Sequence, residues 1–213
     1  GHAMADVLSG KVNPSGKLTD TFALDLKDYP AAENFPGVTL LGPDPTASGG
    51  IVINDRAAEV EYRDDIRVGY RHFNTRDVEV AYPFGYGLSY TRFEYRDLKL
   101  TREDAGFTAS VIVTNTGRRA GKEVVQLYVS APNNVLEKPA AELRTYAKTR
   151  LLQPGQSQTL VMRVEPRGLT SFDPEAHRWV ANPGRYTVRI GASSRDIRQQ
   201  AHFDIKDELS FMP

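Results

Sequence analysis

The chain has 213 residues, of which 40% are hydrophobic and 25% charged, with 27 Lys and Arg residues balanced by 27 Asp and Glu residues. This length allows one large domain, or a medium one with an attached piece, and the scattered, balanced charge argues against nucleic acid or an anionic membrane as partner. No apolar run is long enough to predict a membrane span, and the absence of cysteine excludes disulfides and leaves the compartment open.

The first predicted element is a short helix at the start of the chain. Ala3, Met4, Val7 and Leu8 recur at helical spacing, and Gly10 is a suitable residue to end the helix. A helix of this length is marginal unless it packs against other parts of a protein.

The stretch from this helix to about residue 80 is rich in Pro, Gly and Asp. Only two short segments in it, 51–54 and 66–71, have the composition of strands. Such a stretch cannot enclose a core of its own. We therefore expect it to require a partner, or the preceding part of its own domain.

The segment AYPFGYGLSYTRFEY, residues 81–95, holds six of the twenty aromatic residues, with Pro83, Gly85 and Gly87 between them. Two interpretations arise from this composition. The rings could form a platform that stacks on a sugar, or they could form a seam that fastens two parts of the protein together.

After residue 95 the chain alternates between apolar and polar residues, which is typical of antiparallel strands with one buried and one solvated face. Gln126 and Tyr128 fall on a predicted solvent face. About seven such strands, separated by turns such as Pro154-Gly155, predict an immunoglobulin-like or fibronectin type III-like β-sandwich. The residues predicted to face its core are Phe107, Ala109, Val111, Val113, Val125, Leu127, Val129, Leu160, Met162, Val164, Tyr186, Val188, Ile190, Ala201, Phe203 and Ile205.

The sequence contains no convincing catalytic or metal site. The acidic pairs Asp64-Asp65 and Glu103-Asp104 are adjacent in sequence, so on a strand their side chains would point to opposite faces. Trp179 is expected to plug the core or an edge of the sandwich. The segment SSRDIRQQ, residues 193–200, could bind anions, but charged protection of an edge strand is the preferred interpretation.

The four histidines have no metal-type spacing. They are His2, His72, His177 and His202.

Six ordered segments resemble the carboxyl-terminal third of glycoside hydrolase family 3, as found in bacterial β-glucosidases with a fibronectin type III-like domain. They are ADVLSGKVNPSGKL (5–18), YRDDIRVGYRHFNT (62–75), YPFGYGLSYTRFEY (82–95), GKEVVQLYV (121–129), ELRTYAKTRLLQPGQ (142–156) and PGRYTVRIGASSRDIR (183–198). The first helix also resembles a helix of that family, so the chain is expected to start inside a domain.

The resemblance implies the following layout. Residues 1–80 would be the tail of an α/β sandwich domain and its linker, 81–95 an interdomain seam, 96–207 the fibronectin-like sandwich, and 208–213 a tail. The fold class is thus mainly β, an antiparallel sandwich preceded by an incomplete α/β-domain tail. The partners implied are the barrel and α/β domains of the same enzyme.

The resemblance also implies an activity for the complete enzyme, which is retaining hydrolysis of terminal β-linked sugars by two carboxylates without a metal or organic cofactor. Neither carboxylate motif matches a position here, so the chain is expected to be inactive alone. The 31–75 region is a candidate for a loop at the rim of the active site. Homo-oligomer contacts and the compartment, periplasmic, secreted or cytoplasmic, are left open, with no nucleic acid or membrane partner expected.

In this layout the aromatic segment lies where the linker enters the sandwich. Phe84, Tyr86, Tyr90 and Phe93 are therefore predicted to form the seam, with each buried ring contributing roughly 1.5–3 kcal/mol. Two further hypotheses remain: a stand-alone carbohydrate-binding module, and an interface domain for protein contacts.

Overall fold

A computed structural model describes residues 1–35, 37–39, 58–103 and 106–213. The part before residue 93, called the front segment below, contains short elements only. These are α1 (His2–Leu8), β1 (Phe22–Ala23), a 3-10 turn (Leu26–Asp28), β2 (Val38–Thr39), β3 (Ala58–Glu59), α2 (Tyr70–Thr75) and β4 (Val80–Tyr82). Strand β1 pairs with β4, and β2 pairs with β3, both antiparallel.

The predicted first helix is confirmed as α1, and Gly10 follows it with a φ of +74°. Such a left-handed glycine is a common way to end a helix, since it lacks the Cβ that would clash there.

The strand predicted at 66–71 is wrong. The chain instead turns at Gly69, whose φ is +57°, and begins α2 at Tyr70. The helix places Phe73 in a fully buried position, edge-on to the Tyr29 ring with 5.5 Å between ring centroids. Burial of this one large ring selects the helix over an extended segment. The other predicted strand, 51–54, lies outside the described residues.

The remaining strands build two facing antiparallel sheets. One has the order β5–β6–β9 and the other β13–β12–β7–β8, while a small third sheet has the order β10–β11–β14. The prediction of a mainly β antiparallel sandwich is therefore confirmed. The strands are β5 (Phe93–Glu103), β6 (Gly106–Asn115), β7 (Val124–Ser130), β8 (Glu142–Lys148), β9 (Ser157–Val164), β10 (Ser171–Asp173), β11 (Arg178–Ala181), β12 (Gly184–Gly191), β13 (Ile197–Ile205) and β14 (Leu209–Phe211).

The core lies between the two large sheets, as the alternation predicts. Of the residues predicted to face it, all are buried except Ala201, which is partly buried. The rings of Phe107 on β6 and Phe203 on β13 approach to 5.1 Å across the interior, and Tyr186 stacks on Phe203 from the neighbouring strand. Within the described residues, no helix is long and apolar enough to cross a membrane.

The prediction of a solvated outer face on β7 is wrong. Gln126 and Tyr128 are only 3% and 1% exposed, although they alternate with the core residues of that strand. The front segment lies over them. Strand β7 is consequently buried on both faces, as a central strand in a layered structure would be.

Candidate functional site

The candidate functional site is the junction between the front segment and the outer face of the sheet that contains β7. Phe84 is half-buried and stacks on Tyr70, with 4.6 Å between centroids and 28° between ring planes. Tyr70 in turn meets Tyr128 edge-on at 6.0 Å, and its hydroxyl accepts a hydrogen bond of 2.9 Å from the Leu143 amide. Ring packing thus runs from the aromatic segment through α2 to β7.

The other three aromatic residues predicted for the seam have separate neighbours. Tyr86 is half-buried against Tyr82 at 5.2 Å. Tyr90 is 45% exposed, and its hydroxyl donates a 2.8 Å hydrogen bond to the Val7 carbonyl at the end of α1. Phe93 is 8% exposed and belongs to the sandwich core.

Gln126 is the main polar link across the junction. Its amide nitrogen donates to the carbonyls of Gly85 (3.1 Å) and Ala192 (2.9 Å), and its oxygen accepts from the Tyr128 hydroxyl at 2.6 Å. Both N–H groups of this buried amide therefore donate and its oxygen accepts one hydrogen bond, which fixes its orientation. Gly85 must be glycine here, because its φ is +79° and a Cβ would lie 2.0 Å from the Gln126 oxygen.

An ion pair makes a second link. The Lys17 ammonium lies 3.0 Å from the Glu123 carboxylate, and the two side chains are only 15% and 9% exposed. Lys17 also donates to the Ala192 carbonyl at 3.0 Å. A pair this well buried costs several kcal/mol if one partner is removed, since a charge is then left without compensation.

Asn13 forms a third link near the end of α1. Its amide donates to the Ala120 carbonyl at 2.9 Å, and its oxygen accepts from the Ser89 hydroxyl and the Tyr90 amide at 3.0 and 2.8 Å. One side chain therefore connects three stretches that are far apart in sequence.

The Arg-rich segment 193–200 also serves this junction. Arg195 donates to the carbonyls of Phe73 and Val78 and to the Asn74 side chain, all in or beside α2. Arg198 donates to the Phe93 carbonyl at 2.7 Å. These arginines satisfy backbone acceptors of neighbouring segments, a use beyond the edge protection preferred from sequence.

Arg198 also pairs with Asp196 at 2.8 Å. This hydrogen bond lowers the pKa of Asp196 below its ordinary value and raises that of Arg198. The guanidinium lies over the ring of Tyr95, 4.7 Å from its centroid. Burial, followed by the nearby charge of Glu123, raises the pKa of the Tyr95 hydroxyl, so this phenol stays protonated.

These charged groups line an open cleft of about 720 Å³ between the front segment and the sandwich. Lys17 is engaged by Glu123, and Arg198 by Asp196. Groups that neutralise each other in this way hold a junction together.

The two members of the Asp64-Asp65 pair differ in exposure. Asp65 is exposed with a φ of +51°, while Asp64 is partly buried. Glu103 accepts a 2.6 Å hydrogen bond from the Thr108 hydroxyl, and its neighbour at 104 is outside the described residues. Trp179 is half-buried beside Phe172, 5.6 Å between centroids, in the small third sheet.

The histidines are separated in the structure as they are in the sequence. His72 packs edge-on to Phe73, and His202 shares a 3.0 Å hydrogen bond with Thr187. His2 and His177 are exposed. Within the residues that the structure describes, no three His, Cys, Asp or Glu side chains come together as a metal site.

Large apolar side chains are exposed mainly in the front segment. Among the residues that the structure describes, thirteen of nineteen exposed large hydrophobic side chains lie before residue 93, although that part supplies fewer of the described residues than the sandwich. Helix α1 buries none of its residues. The exposed side chains in the first thirty residues include Met4, Leu8, Leu24 and Leu26, each between 62% and 76% exposed.

Sequence reasoning missed the residues that carry the junction on the sandwich side. Gln126 and Tyr128 were placed on a solvent face, and Asn13 and Lys17 were not singled out. One signal was present: the run VVQLYV, residues 124–129, has four apolar residues and a tyrosine around a single Gln. Near-continuous apolar character is typical of a strand buried on both faces.

Comparison with family models matches two successive parts of the chain. Residues 1–90 match the glycosyl hydrolase family 3 C-terminal domain, and residues 123–194 match the fibronectin type III-like domain. The first match covers the front segment almost to its end.

Among curated proteins, the chain is similar to a beta-glucosidase of Rhizobium radiobacter, with 43% identity over 201 residues covering 93% of this chain and 23% of that protein. It is also similar to the thermostable beta-glucosidase B of Acetivibrio thermocellus, with 39% identity over 201 residues, 92% of this chain and 24% of that protein. The chain thus spans about a quarter of the length of these relatives.

Among solved structures, beta-glucosidase 3B from Thermotoga neapolitana in complex with alpha-D-glucose superposes with a TM-score of 0.86 at 44% identity. The superposition covers 99% of this chain and 27% of that one.

Proposed function

We propose that this chain, which belongs to glycosyl hydrolase family 3 and corresponds to its carboxyl-terminal portion, is the structural, non-catalytic part of a β-glucosidase. Its role is to hold the front segment in a fixed shape on the sandwich, so that the front segment can complete an upstream domain. The observation that carries this proposal is the concentration of exposed apolar side chains in the described part of residues 1–92, a stretch of which residues 1–90 match the family 3 domain.

The occupant of that apolar surface is the upstream part of a longer family 3 enzyme. Relatives are about four times as long as the region they share with this chain, so each has ample chain to cover it. Exposed apolar residues concentrated in one region usually mark an interaction site. A second copy of this chain is the competing occupant.

The reaction proposed for the complete enzyme is hydrolysis of a terminal β-linked glucose with retention of configuration. In that chemistry one carboxylate attacks the anomeric carbon and a second, about 5 Å away, protonates the leaving oxygen and then activates water. Both carboxylates belong to the upstream part. The residues described here contribute no proton transfer, and their contribution is position.

A chimera tests this proposal. The region of the Rhizobium radiobacter beta-glucosidase that matches this chain is replaced by the 213 residues, and hydrolysis of an aryl β-glucoside is compared for the chimera, the relative truncated before that region, and the isolated chain. We expect activity from the chimera and none from the other two. Turnover by the isolated chain, or undiminished turnover by the truncated relative, would contradict the proposal.

Surface substitutions identify the occupant. Leu24→Glu with Leu26→Glu changes two exposed side chains, so the isolated chain should keep its stability, while the chimera should lose activity or thermal stability. Val161→Glu, at an exposed position on β9, is the matched control that should leave the chimera unchanged. Sedimentation of the chimera as a monomer would exclude a second copy as the required occupant.

A further inference from the structure

A second crevice, of about 370 Å³, is lined by residues at and beyond the end of α2 and by residues of the sandwich. This volume is in the lower part of the range of small-molecule sites. The groups that give it a chemical character are Asn74, Asp77, Tyr128, Arg189, Ser194 and Arg195.

Two hydrogen-bond donors in this crevice have no partner among the described residues. They are Nε of Arg189 and the hydroxyl of Ser194, both buried as atoms. Arg189 stands on the outer face of β12, directly across from Tyr128 on β7 and Gln200 on β13. Buried donors without partners are costly, and each requires an explanation such as a bound ion or water.

Contacts with the front segment hold one side of the crevice in place. Ser194 is fixed through its backbone, since its amide donates to the Phe84 carbonyl at 2.9 Å. Arg195 is held by Asn74 and by two carbonyls of the front segment, and it adds a second positive charge to the wall. The side of the crevice formed by Ser194 and Arg195 is thus fixed by these contacts.

One carboxylate, that of Asp77, also lines the crevice. It does not neutralise Arg189, because no carboxylate of the described residues lies within ion-pair distance of that guanidinium, whereas Arg185, Arg178 and Arg198 each have one. Arg189 is therefore the cation of strand β12 that is available to a ligand.

We propose that this crevice binds a small anion, with a carboxylate or phosphate group held by the Arg189 guanidinium on a wall that Ser194 and Arg195 complete. Guanidinium forms charge-assisted and often bidentate hydrogen bonds with both groups. The remaining volume accommodates a body about the size of a sugar ring. Bound there, the anion links the sandwich to the turn after α2 and strengthens the junction.

The test uses the isolated 213-residue chain and two probes, inorganic phosphate and glucuronate, each titrated against sodium chloride at equal ionic strength and against uncharged glucose. Chemical shifts of backbone amides in β12 and 193–195 report binding, and the thermal midpoint reports linkage to folding, because a ligand that binds only the folded state stabilises it. We expect saturable shifts and a raised midpoint with at least one of the two anions and with neither chloride nor glucose.

Three variants make the assignment specific. Arg189→Gln should weaken anion binding at least tenfold, and Arg189→Lys should recover part of it. Arg185→Gln, on the same strand but exposed and paired with Asp204, should leave it within twofold. Asp77→Asn removes the one carboxylate of the wall and should tighten binding severalfold.

Equal effects of Arg189→Gln and Arg185→Gln would show a nonspecific charge effect and overturn the proposal. Absence of a saturable shift with both anions would overturn it as well. Neither result bears on the chimera experiment, so this inference and the proposed function fail separately.

Discussion

Gly85→Ala is the substitution that most sharply tests how the front segment is fastened to the sandwich. Gly85 has a φ of +79°, which costs an alanine roughly 1–2 kcal/mol in any protein. The new Cβ would also lie 2.0 Å from the Gln126 oxygen, so the Gln126 side chain must move.

The cost of that movement follows from its hydrogen bonds. Displacing Gln126 breaks the bonds to the Gly85 carbonyl, the Ala192 carbonyl and the Tyr128 hydroxyl. The Ala192 carbonyl keeps Lys17 as a donor, but the other two groups are left buried without partners. At about 1–3 kcal/mol for each such group, the expected loss is about 3 kcal/mol beyond the backbone strain.

Gly155→Ala is the matched control. Gly155 has the same φ of +79°, and a Cβ there would meet no atom within 4 Å, so it measures backbone strain alone. Urea unfolding of both variants, followed by far-UV circular dichroism, gives the two losses in free energy of unfolding. We expect Gly85→Ala to lose about 3 kcal/mol more than Gly155→Ala. Losses that agree within about 0.5 kcal/mol would refute the role assigned to Gln126.

Two further predictions concern charged groups. Lys17→Met should lower the free energy of unfolding by about 3 kcal/mol, because it leaves the Glu123 carboxylate buried without its cation. Adding Glu123→Gln removes that charge and should recover part of the loss in the same urea assay. A double variant no more stable than the single one would contradict this. Arg198 lowers the pKa of Asp196 in the folded state, so the carboxylate contributes stability at neutral pH that is lost as the pH falls through that lowered pKa. Asp196→Asn should therefore reduce the fall in urea midpoint between neutral and strongly acid pH, and an unchanged acid limb would argue against the pairing.

The sandwich could be predicted from sequence because each of its strands carries its own signal. Period-2 alternation depends on local residues, and it identified core positions such as Val111, Met162 and Val188. The helix at 70–75 was missed for the opposite reason. Its formation depends on burying Phe73 against Tyr29, a residue 44 positions earlier, and no local pattern reports that contact.

The sequence suggested a junction but none of its partners on the sandwich. The composition of the aromatic segment 81–95 and the resemblance to a known family point to a seam there, and this stays a prediction. The partners on the sandwich were not predictable from alternation, because Gln126 and Tyr128 have polar atoms and occupy the positions that alternation assigns to solvent. Only the overlying front segment makes that face dry. The proposal of a seam at Phe84, Tyr86, Tyr90 and Phe93 is supported by the stack of Phe84 on Tyr70.

The most direct test of the proposed role is aryl β-glucoside hydrolysis by the Rhizobium radiobacter beta-glucosidase carrying this chain in place of its own matching region. The assay is run beside the truncated relative and the isolated 213 residues. The proposed role predicts turnover by the chimera alone. Turnover by the isolated chain would contradict it, because the residues described here would then have to supply the catalytic carboxylates.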